Sequence, residues 1–398
     1  MLLSFFLHHP SVPTPGFSSL APVLGAAVFI KYANSSLRVC RVLSSSILSF
    51  LGKMSFSLYL WHFPLLAFSS YFFPNMEWTH LLGLLLALFI FAYLTWRFIE
   101  EPCRVPNKIS LHKLLLCLGV SVGFLFVFGI SGVVKKGFPD RFNGPIKEVL
   151  TYQQYESSGM MLHDVCFLAP SIVWERIPNE CLPSSRQYSV IVWGDSHGAF
   201  LMYGMREFNI PLGQITAASC PPIMDVSTRR NSLCAKVSEQ ALTSIIEAEP
   251  AVVVLHANWL LHAQTGVDLT KIRNTLSKLK NNLPFSQIIV VGGVPQWQPN
   301  LPTLVARHVL ASKAIDSEIR IHQNSTSFLK RLDAIIRLEA EAAGYEFFSP
   351  LDALCDDVGC LAGRKVDGVL RLMSFDRSHL TREGSRILSE ELQKMIPK

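Results

Sequence analysis

The chain has 398 residues, of which 49% are hydrophobic and 17% are charged, and its mean hydropathy is +0.31. This length is enough for two domains, and so apolar a composition argues against a protein that is soluble along its whole length. The net charge is +6, but no long basic run is interleaved with aromatic residues, so we expect no nucleic-acid partner.

Long apolar runs are concentrated before residue 135, and residues 135–398 have the composition of a globular domain. A helix that spans a bilayer needs about 20 mainly apolar residues. The sequence therefore predicts a membrane domain over residues 1–134 with about four spans. The predicted spans are Phe17 to Tyr32, which is the shortest, Ile47 to Phe73, Leu81 to Ile99, and Leu111 to Val134.

The distribution of Lys and Arg predicts how these spans are oriented. Cytoplasmic loops carry an excess of both residues. The loop at residues 74–80 has neither, so we expect it outside the cytoplasm, together with everything after Val134. The basic residues lie between spans one and two (Lys31, Arg38, Arg41, Lys53) and between spans three and four (Arg97, Arg104, Lys108, Lys113).

His62 interrupts an apolar run, and an ionisable side chain within a membrane span is by default a candidate functional residue. The alternative is that His62 anchors the outer end of its helix just before Pro64.

Met1 to Leu7 lacks a basic region and does not resemble a secretory signal. A chain that begins outside with a short first span is typical of the C-terminal part of a longer protein.

Six of the nine cysteines lie in the globular part, which the charge pattern places outside the cytoplasm. An even set there indicates an oxidising compartment. Six cysteines permit fifteen disulfide pairings. The alternative to disulfides is that these cysteines are reduced, buried thiols. No C-x-x-C is present, and no His, Asp and Glu cluster indicates a metal site. Sequence neighbours form three short-range pairs: Cys166 with Cys181, Cys220 with Cys234, and Cys355 with Cys360.

Short β-branched runs alternate with amphipathic segments from residue 188 onward, which predicts a parallel sheet with helices on both faces. Residues 135–187 lack this alternation and are predicted to be an extension that links membrane and domain. The predicted strands are Ser189 to Trp193, Leu212 to Thr216, Ala251 to His256, Gln287 to Gly292 and, more weakly, Tyr345 to Phe348. The predicted helices are His197 to Phe208, Lys236 to Ala248, Leu269 to Asn281, Ser325 to Ala343, and Thr381 to Met395.

A Gly-Asp-Ser turn follows the first of these strands, at Gly194, Asp195 and Ser196. Ligands in such folds bind at the carboxyl ends of the strands. The turn places the Ser196 hydroxyl at the start of a helix, where backbone N–H groups favour a developing negative charge. A serine hydroxyl is a weak nucleophile and needs a base. Ser196 is therefore the candidate nucleophile.

The base is predicted near the other end of the chain, where Asp376 and His379 lie three residues apart on the loop that enters the last helix. A carboxylate can hold one imidazole nitrogen while the other nitrogen faces the serine. His197 and His256 are weaker candidates. We expect His197 to point away as its helix begins, and His256 to alternate out of the site on its strand.

Asn258 follows the third predicted strand and is a candidate oxyanion donor through its side-chain amide, an ordinary turn residue being the alternative. Gly194 to Gly198 also satisfies G-x-S-x-G, the nucleophile elbow of the α/β-hydrolases. We predict against that fold for two reasons. Ser196 follows the first strand of its domain rather than a central one, and the acid and the base share one loop.

The motif residues resemble the SGNH hydrolase family. Gly194-Asp195-Ser196 is similar to its first block and Asp376-x-x-His379 to its last. The resemblance implies that Ser196 is the nucleophile, His379 the base and Asp376 the residue that orients the base. It also implies an α/β/α, flavodoxin-like domain over residues 188–398.

The oxyanion residues depart from that family's pattern. Asn258 corresponds to the family's oxyanion asparagine by position only, because the usual Gly-x-Asn-Asp context is missing. No block-two glycine is evident, and a Ser219-Cys220-Pro221-Pro222 loop stands in its place. A backbone N–H near Ser219 would have to serve instead, beside Gly194 and Asn258.

The membrane segment resembles the end of a second family, the membrane acyltransferase type 3 proteins of the O-antigen acetylase kind. The residues that carry this resemblance are Leu51 to Pro64 and Arg97 to Arg104. Some members fuse that domain to an external SGNH domain with a Cys-Pro-Pro loop. The family's catalytic His and Arg lie in earlier spans, so this chain resembles a truncated or split member. The resemblance implies a multi-pass protein of the bacterial inner membrane with its C-terminal domain in the periplasm.

Together the resemblances imply O-acetyl transfer to a cell-surface polysaccharide such as lipopolysaccharide O-antigen. Acetyl-CoA would be the ultimate acyl donor, no cofactor would be bound, and a separate polypeptide would supply the missing helices. The alternatives are a carbohydrate acetyl esterase that uses the same Ser-His-Asp triad, and a non-catalytic remnant of a truncated acyltransferase.

Overall fold

The computed structural model describes residues 20–32, 38–73, 76–105, 109–142, 144–170, 172–312, 317–322 and 326–397. The chain divides into two compact units, Met1–Val133 and Val134–Lys398. Some predictions lie outside the described residues: Met1 to Leu7, the start of the first span at residues 17–19, residues 74–75 of the loop without basic residues, and Lys108.

The first unit is helical where it is described. A π-helical turn, Trp96–Glu100, joins its fourth and fifth helices. The helices are α1 (Leu20–Tyr32), α2 (Arg38–Leu43), α3 (Ser46–Phe72), α4 (Trp78–Thr95), α5 (Glu101–Arg104) and α6 (Leu111–Val134).

Two helical segments among the described residues are long and apolar enough to cross a membrane, Trp78–Arg104 and Leu111–Val134. The prediction of about four spans is therefore not confirmed. Helix α3 has 27 residues, but it includes six serines together with Lys53 and His62, which lower its hydropathy. Helix α1 is apolar but shorter, and only the part from Leu20 onward is described.

Polar side chains of α3 and the π-helical turn pair with each other. The Ser57 hydroxyl donates to Oε2 of Glu100 at 2.7 Å, and Arg104 forms an ion pair with Glu100. One turn further along α3, the Trp61 indole N–H donates to the Thr95 hydroxyl at 2.7 Å. Polar groups in an apolar solvent need such partners, so these pairs hold the two helices together.

The second unit contains a six-stranded parallel sheet, which confirms the predicted fold class. Its strand order is β1-β3-β2-β4-β5-β7, and every neighbouring pair is parallel. The strands are β1 (Phe167–Leu168), β2 (Val190–Gly194), β3 (Leu212–Ala217), β4 (Val252–His256), β5 (Gln287–Val291) and β7 (Glu346–Phe348).

Apolar cores lie on both faces of this sheet. Ile191 and Trp193 enter the core that includes Leu276 and Ile336, whereas Val190 and Val192 enter the opposite core. Burial on both faces explains why these strands are continuous apolar runs. The helices of the unit are α7 (Pro145–Thr151), α8 (Ser158–Met161), α9 (Ser196–Met205), α10 (Cys234–Ala248), α11 (Trp259–Gln264), α12 (Ile272–Asn282), α13 (Leu301–Ser312), α14 (Thr326–Ala342), α15 (Pro350–Leu354) and α16 (Arg382–Gln393).

A second, three-stranded antiparallel sheet was not predicted. It consists of β6 (Glu318–Ile321), β8 (Cys360–Val366) and β9 (Val369–Leu372), in the order β6-β8-β9. Asp367 and Gly368 turn the chain between β8 and β9 with φ of +51° and +77°. An Asp-Gly pair between two short apolar runs is a hairpin signal, so the sequence did contain a signal for the hairpin of β8 and β9.

The position of β2 corrects one argument from the sequence. Among the predicted strands β2 comes first along the chain, but in the sheet it lies between β3 and β4. The statement that Ser196 follows a strand that is not central was therefore wrong, because chain order does not give strand order. The acid and the base still share one loop.

The cysteines of the second unit form three disulfides between sequence neighbours, Cys166–Cys181, Cys220–Cys234 and Cys355–Cys360. The short-range pairing is confirmed. The first bond ties the predicted extension to the globular unit, since Cys166 and Cys181 are both fully buried in its core. Strand β1 also lies in that extension and pairs with β3.

Helices α9 and α16 pack closely at Gly204. A Cβ at this position would lie 2.4 Å from the carbonyl oxygen of Ser385. The Ser385 hydroxyl accepts from the Gly204 N–H at 2.8 Å and donates to the Phe200 carbonyl at 2.7 Å. This contact fixes the helix that begins at Ser196 against the helix that follows His379.

We expect Gly204→Ala to lower the free energy of unfolding by about 1–3 kcal/mol or more, because neither backbone can move away without loss of these bonds. Gly159→Ala is the matched control, since a Cβ there meets nothing within 4 Å. Urea denaturation followed by tryptophan fluorescence measures both. Equal stability of the two variants would contradict close packing at Gly204.

Candidate active site

Ser196 is the first residue of α9, directly beyond the carboxyl end of β2. Asp195 caps that helix, and its Oδ1 accepts from the His197 N–H at 2.8 Å. Gly194 is required for packing, because a Cβ there would lie 1.8 Å from the carbonyl oxygen of His256. The chain passes from β2 to β3 on one side and later to β4 on the other, so the carboxyl end of β2 is a topological switch point, where ligands bind in open α/β sheets.

The structure brings Ser196, His379 and Asp376 together. Ser196 Oγ lies 3.0 Å from His379 Nε2, and His379 Nδ1 lies 2.7 Å from Asp376 Oδ2. Asp376 Oδ1 accepts from the backbone N–H groups of Ser378 and His379 at 2.8 and 2.7 Å. A proton on Nδ1 leaves Nε2 able to accept the serine proton. Ser196 and His379 are 183 residues apart in sequence.

Asp376 is held as a carboxylate. Partial burial raises its pKa, but the hydrogen bond and charge of His379 and the two backbone N–H donors outweigh burial and bring the pKa to about 2. The group is therefore ionised at neutral pH and keeps the imidazole in one orientation. It can also stabilise an imidazolium when His379 takes a proton.

A ladder of aromatic rings supports the imidazole from the predicted extension. The His379 ring stacks on Phe375 with centroids 5.9 Å apart, and Phe375 stacks on Tyr155 at 5.1 Å. Tyr152 stacks on Tyr155 at 5.5 Å. The Tyr155 hydroxyl accepts from the Arg382 N–H at 2.8 Å. The extension therefore helps to position the candidate base, which its irregular sequence pattern did not reveal.

Ser196 and His379 open onto a cavity of about 340 Å³. Ser219 and Asn258 also line it, whereas Gly194 does not. Ser219 adopts a positive φ of +57°, at the loop where the resemblance lacked a glycine. The remaining lining residues are Ser157, Met161, Phe167, Phe200, Ala218, Arg230, Leu261 and Phe375.

Asn258 is both a turn residue and a cavity residue. Its Oδ1 accepts from the Leu261 N–H at 3.1 Å and caps α11, and its backbone N–H donates to Asp195 Oδ2 at 3.0 Å. Among the described residues its Nδ2 has no protein acceptor. The side-chain N–H groups on Asn258 Nδ2 are therefore left for a ligand in the cavity.

Asp195 and His262 form a fully buried pair beneath the serine, which the sequence reasoning missed. His262 Nε2 lies 2.8 Å from Asp195 Oδ2, and each side chain is 1% exposed. Burial raises the pKa of Asp195, but the hydrogen bond and charge of His262, helped by His197 and the Asn258 N–H, hold the pKa down to about 2. The feature of the sequence that could have indicated this pair is the position of His262 one helical turn after Asn258.

The two competing histidines are buried and do not bond to Ser196. His197 Nε2 lies 3.2 Å from the Ser378 hydroxyl, and burial lowers the pKa of His197 to about 3. His256 is fully buried, with Nδ1 3.4 Å from the Val291 carbonyl, and burial lowers its pKa to about 4. Both imidazoles are thus kept neutral as part of the core.

His62 belongs to the first unit. It borders a cavity of about 220 Å³ whose other lining residues are leucines of α3 and α4, and its Nδ1 contacts the Tyr59 carbonyl. The structure gives it no acid or base partner among the described residues. Within the same residues, no three His, Cys, Asp or Glu side chains lie together as metal ligands would.

A family model described as "SGNH domain (fused to AT3 domains)" matches residues 165–394. The chain belongs to this SGNH family. The match begins before β1 and extends into the residues after the last helix, so it covers both sheets and all the cavity-lining residues except Ser157 and Met161. It does not reach the residues before 165, and the likeness of the membrane segment to the acyltransferase type 3 family stays a prediction.

Two known proteins are similar to parts of the chain. A candidate O-acetyltransferase of Staphylococcus aureus (strain COL) is 32% identical over 88 residues, which are 21% of this chain and 14% of that protein. The solved periplasmic domain of a lipopolysaccharide acetyltransferase from Salmonella ser. Paratyphi A matches with a TM-score of 0.51 at 23% identity. This match covers 64% of this chain and 100% of the Salmonella domain. The second likeness shows a shared fold.

We expect His262→Leu to destabilise the second unit by about 3–5 kcal/mol at neutral pH, because it leaves a buried carboxylate without its partner. The folded-state pKa of Asp195 lies below its unfolded value of 3.8, so its contribution is present above pH 4 and lost as the pH falls towards 2. The difference between wild type and variant should narrow over that range. His163→Leu is the control, because that exposed imidazole contacts the exposed Asp164. A difference independent of pH would argue against an ionised Asp195 in the pair.

Asn258→Asp separates the two roles of this side chain. The variant keeps an oxygen that can cap α11 and loses the amide donor, so we expect a loss of about 10²–10³ in kcat on an acetyl ester with a small change in stability. Asn258→Ala should lose both. Steady-state kinetics and thermal unfolding measure the two effects. Wild-type kcat in Asn258→Asp would show that the amide does not act on the oxyanion.

Proposed function

We propose that this protein transfers an acetyl group to a hydroxyl of a cell-envelope glycan through an ester on Ser196. The observation that supports this is the distance of 3.0 Å between the Ser196 hydroxyl and His379 Nε2, with Asp376 behind the imidazole. The chain belongs to a family whose model is described as fused to AT3 domains. The Staphylococcus aureus relative and the Salmonella periplasmic domain are named for acetyl transfer.

The proposed reaction has two halves. Ser196 Oγ attacks the acetyl carbonyl and gives its proton to His379 Nε2, the oxyanion facing the Asn258 amide and the N–H groups at the start of α9. Collapse of the tetrahedral intermediate breaks the bond to the leaving group, which takes the proton from His379. A sugar hydroxyl then attacks the acetyl-serine ester and passes its proton to His379. Release of the acetylated sugar returns that proton to Ser196.

The donor and the location are parts of the same proposal. Three disulfides favour an oxidising compartment for the second unit, and two helices are long and apolar enough to cross a membrane. We place the protein in the bacterial inner membrane as a multi-pass chain, with its second unit in the periplasm. Acetyl-CoA would be the ultimate donor, and transmembrane helices would carry the acetyl group across.

The decisive variant is Ser196→Ala. We expect it to lower the rate of acetyl-ester turnover by at least about 10³-fold without a change in thermal stability, because Ser196 is only partly buried. Ser185→Ala, an exposed serine that bonds to the Gln187 carbonyl, is the control and should keep full activity. Incubation with an acetyl ester, with and without envelope glycan, separates transfer from hydrolysis.

The products decide between the proposals. Acetylated glycan formed at the expense of free acetate supports the transferase. Acetate released at the same rate with or without glycan, and no acetylated product, would instead make this an esterase. Equal turnover by wild type and Ser196→Ala would show that Ser196 is not the nucleophile and would favour the non-catalytic alternative.

A further inference from the structure

We propose that Arg230 binds an anionic group of the acceptor, so that the glycan modified at this site is acidic. This inference rests on the proposed function and adds the chemical class of the acceptor. Arg230 lines the same cavity as Ser196 and His379. Among the described lining residues, His379 is the only other titratable group, and the rest are neutral polar or apolar.

Within the part of the chain that the structure describes, Arg230 stands apart from the paired arginines of the second unit. Other arginines of the second unit form ion pairs, such as Arg273 with Glu339 and Arg386 with Glu207. Arg230 forms none with any described Asp or Glu. The side chain is exposed, and a guanidinium left without a carboxylate at the rim of a cavity is available to a ligand. The fork of N–H donors fits a carboxylate or phosphate with two parallel hydrogen bonds.

The backbone that carries Arg230 is held in place. Arg229 and Arg230 form the tip of a turn in which the Thr228 N–H donates to the Asn231 carbonyl at 3.1 Å and the Asn231 N–H to the Thr228 hydroxyl at 3.0 Å. Thr228 and Asn231 are buried. The disulfide Cys220–Cys234 closes the loop around them.

This turn is bonded to the cavity wall itself. Asn231 Nδ2 donates to the Ala218 carbonyl at 3.2 Å, and the Thr228 hydroxyl donates to the Ser219 carbonyl at 3.1 Å. Ala218 and Ser219 both line the cavity. The turn is therefore pre-organised next to Ser196, and little backbone entropy is lost when a ligand binds to Arg230.

The reacting groups do not account for this cation. An acetyl ester and a sugar hydroxyl are neutral, and the oxyanion has donors at Asn258 and the start of α9. Arg230 therefore matches a charge elsewhere on the ligand. Phe167, Phe200 and Phe375 also line the cavity and offer apolar faces for a sugar ring. A sugar that bears a carboxylate or a phosphate diester has both features.

The test compares Arg230→Gln with Arg229→Gln in the full chain purified in detergent. Arg229 is the neighbouring exposed arginine on the same turn and does not line the cavity. The acetyl donor is p-nitrophenyl acetate, and the acceptors are maltotriose, trigalacturonic acid and a glycerol phosphate oligomer. Acetylated products are quantified by mass spectrometry, and kcat/KM is compared between acceptors.

We expect the wild type to prefer one anionic acceptor over maltotriose, and the preferred one identifies carboxylate or phosphate as the group recognised. Arg230→Gln should reduce the anionic-to-neutral ratio of kcat/KM at least tenfold, Arg230→Lys should restore part of it, and Arg229→Gln should leave it unchanged. An unchanged ratio in Arg230→Gln, or equal use of all acceptors by the wild type, would overturn the proposal.

A binding measurement keeps this test independent of turnover. Ser196→Ala cannot form the acyl-enzyme, so its affinity for trigalacturonic acid and for the glycerol phosphate oligomer, measured by calorimetry, does not depend on catalysis. We expect Ser196→Ala/Arg230→Gln to bind the preferred anion at least tenfold more weakly. Equal affinity would reject Arg230 as the binding residue even if transfer is observed. Weaker binding without any transfer would retain the anion subsite and reject the proposed function.

Discussion

One buried carboxylate connects the parts of the candidate site. Asp195 caps the helix that starts at Ser196, accepts from the backbone of Asn258 and pairs with His262. These partners belong to α9, which follows β2, and to α11 with its N-cap, which follow the neighbouring strand β4. A carboxylate is stable in the interior only when it is paired and hydrogen-bonded, so the starts of the two helices are held at a fixed separation. The distance from the Ser196 hydroxyl to the Asn258 amide follows from this constraint.

These hydrogen bonds also determine which carboxylate bonds to the His379 imidazole. Asp195 is adjacent to Ser196 in sequence, but its oxygens already bond to His197, Asn258 and His262. Asp376 has Oδ1 bonded to two backbone N–H groups and leaves Oδ2 for the His379 imidazole. An Asp and a His three residues apart on one loop can form this bond locally, without help from distant parts of the fold.

This local encoding explains which predictions from the sequence agree with the structure. The runs around Val190, Val252 and Ile288 are apolar on both faces, and they form neighbouring parallel strands. The Gly194-Asp195-Ser196 turn and the Asp376-x-x-His379 loop each fix their geometry over a few residues. Cysteine neighbours 5 to 15 residues apart form the three disulfides. In each case the information lies within one short segment.

The missed features depend on contacts between segments that have no regular period. Tyr155 reaches Phe375 across 220 positions of sequence, and neither residue belongs to a repeating apolar pattern. The role of His262 becomes evident only in the fold, where its Nε2 lies 2.8 Å from Asp195 Oδ2. The central position of β2 could not be read from chain order. Helix α3 is as long as a span, but its Ser57 donates to Glu100, so composition alone does not decide how the helix meets a membrane.

These missed contacts bear on the choice between transfer and hydrolysis. An ester on Ser196 can be attacked by water or by a sugar hydroxyl, and His379 would accept the proton from either. The triad therefore cannot favour one acceptor, and the preference must come from the walls of the cavity. Those walls include Met161 from the extension and Arg230 from the disulfide-closed loop. Segments outside the catalytic motifs would then decide whether the glycan displaces water, which is why the motifs assign the chemistry more firmly than the acceptor.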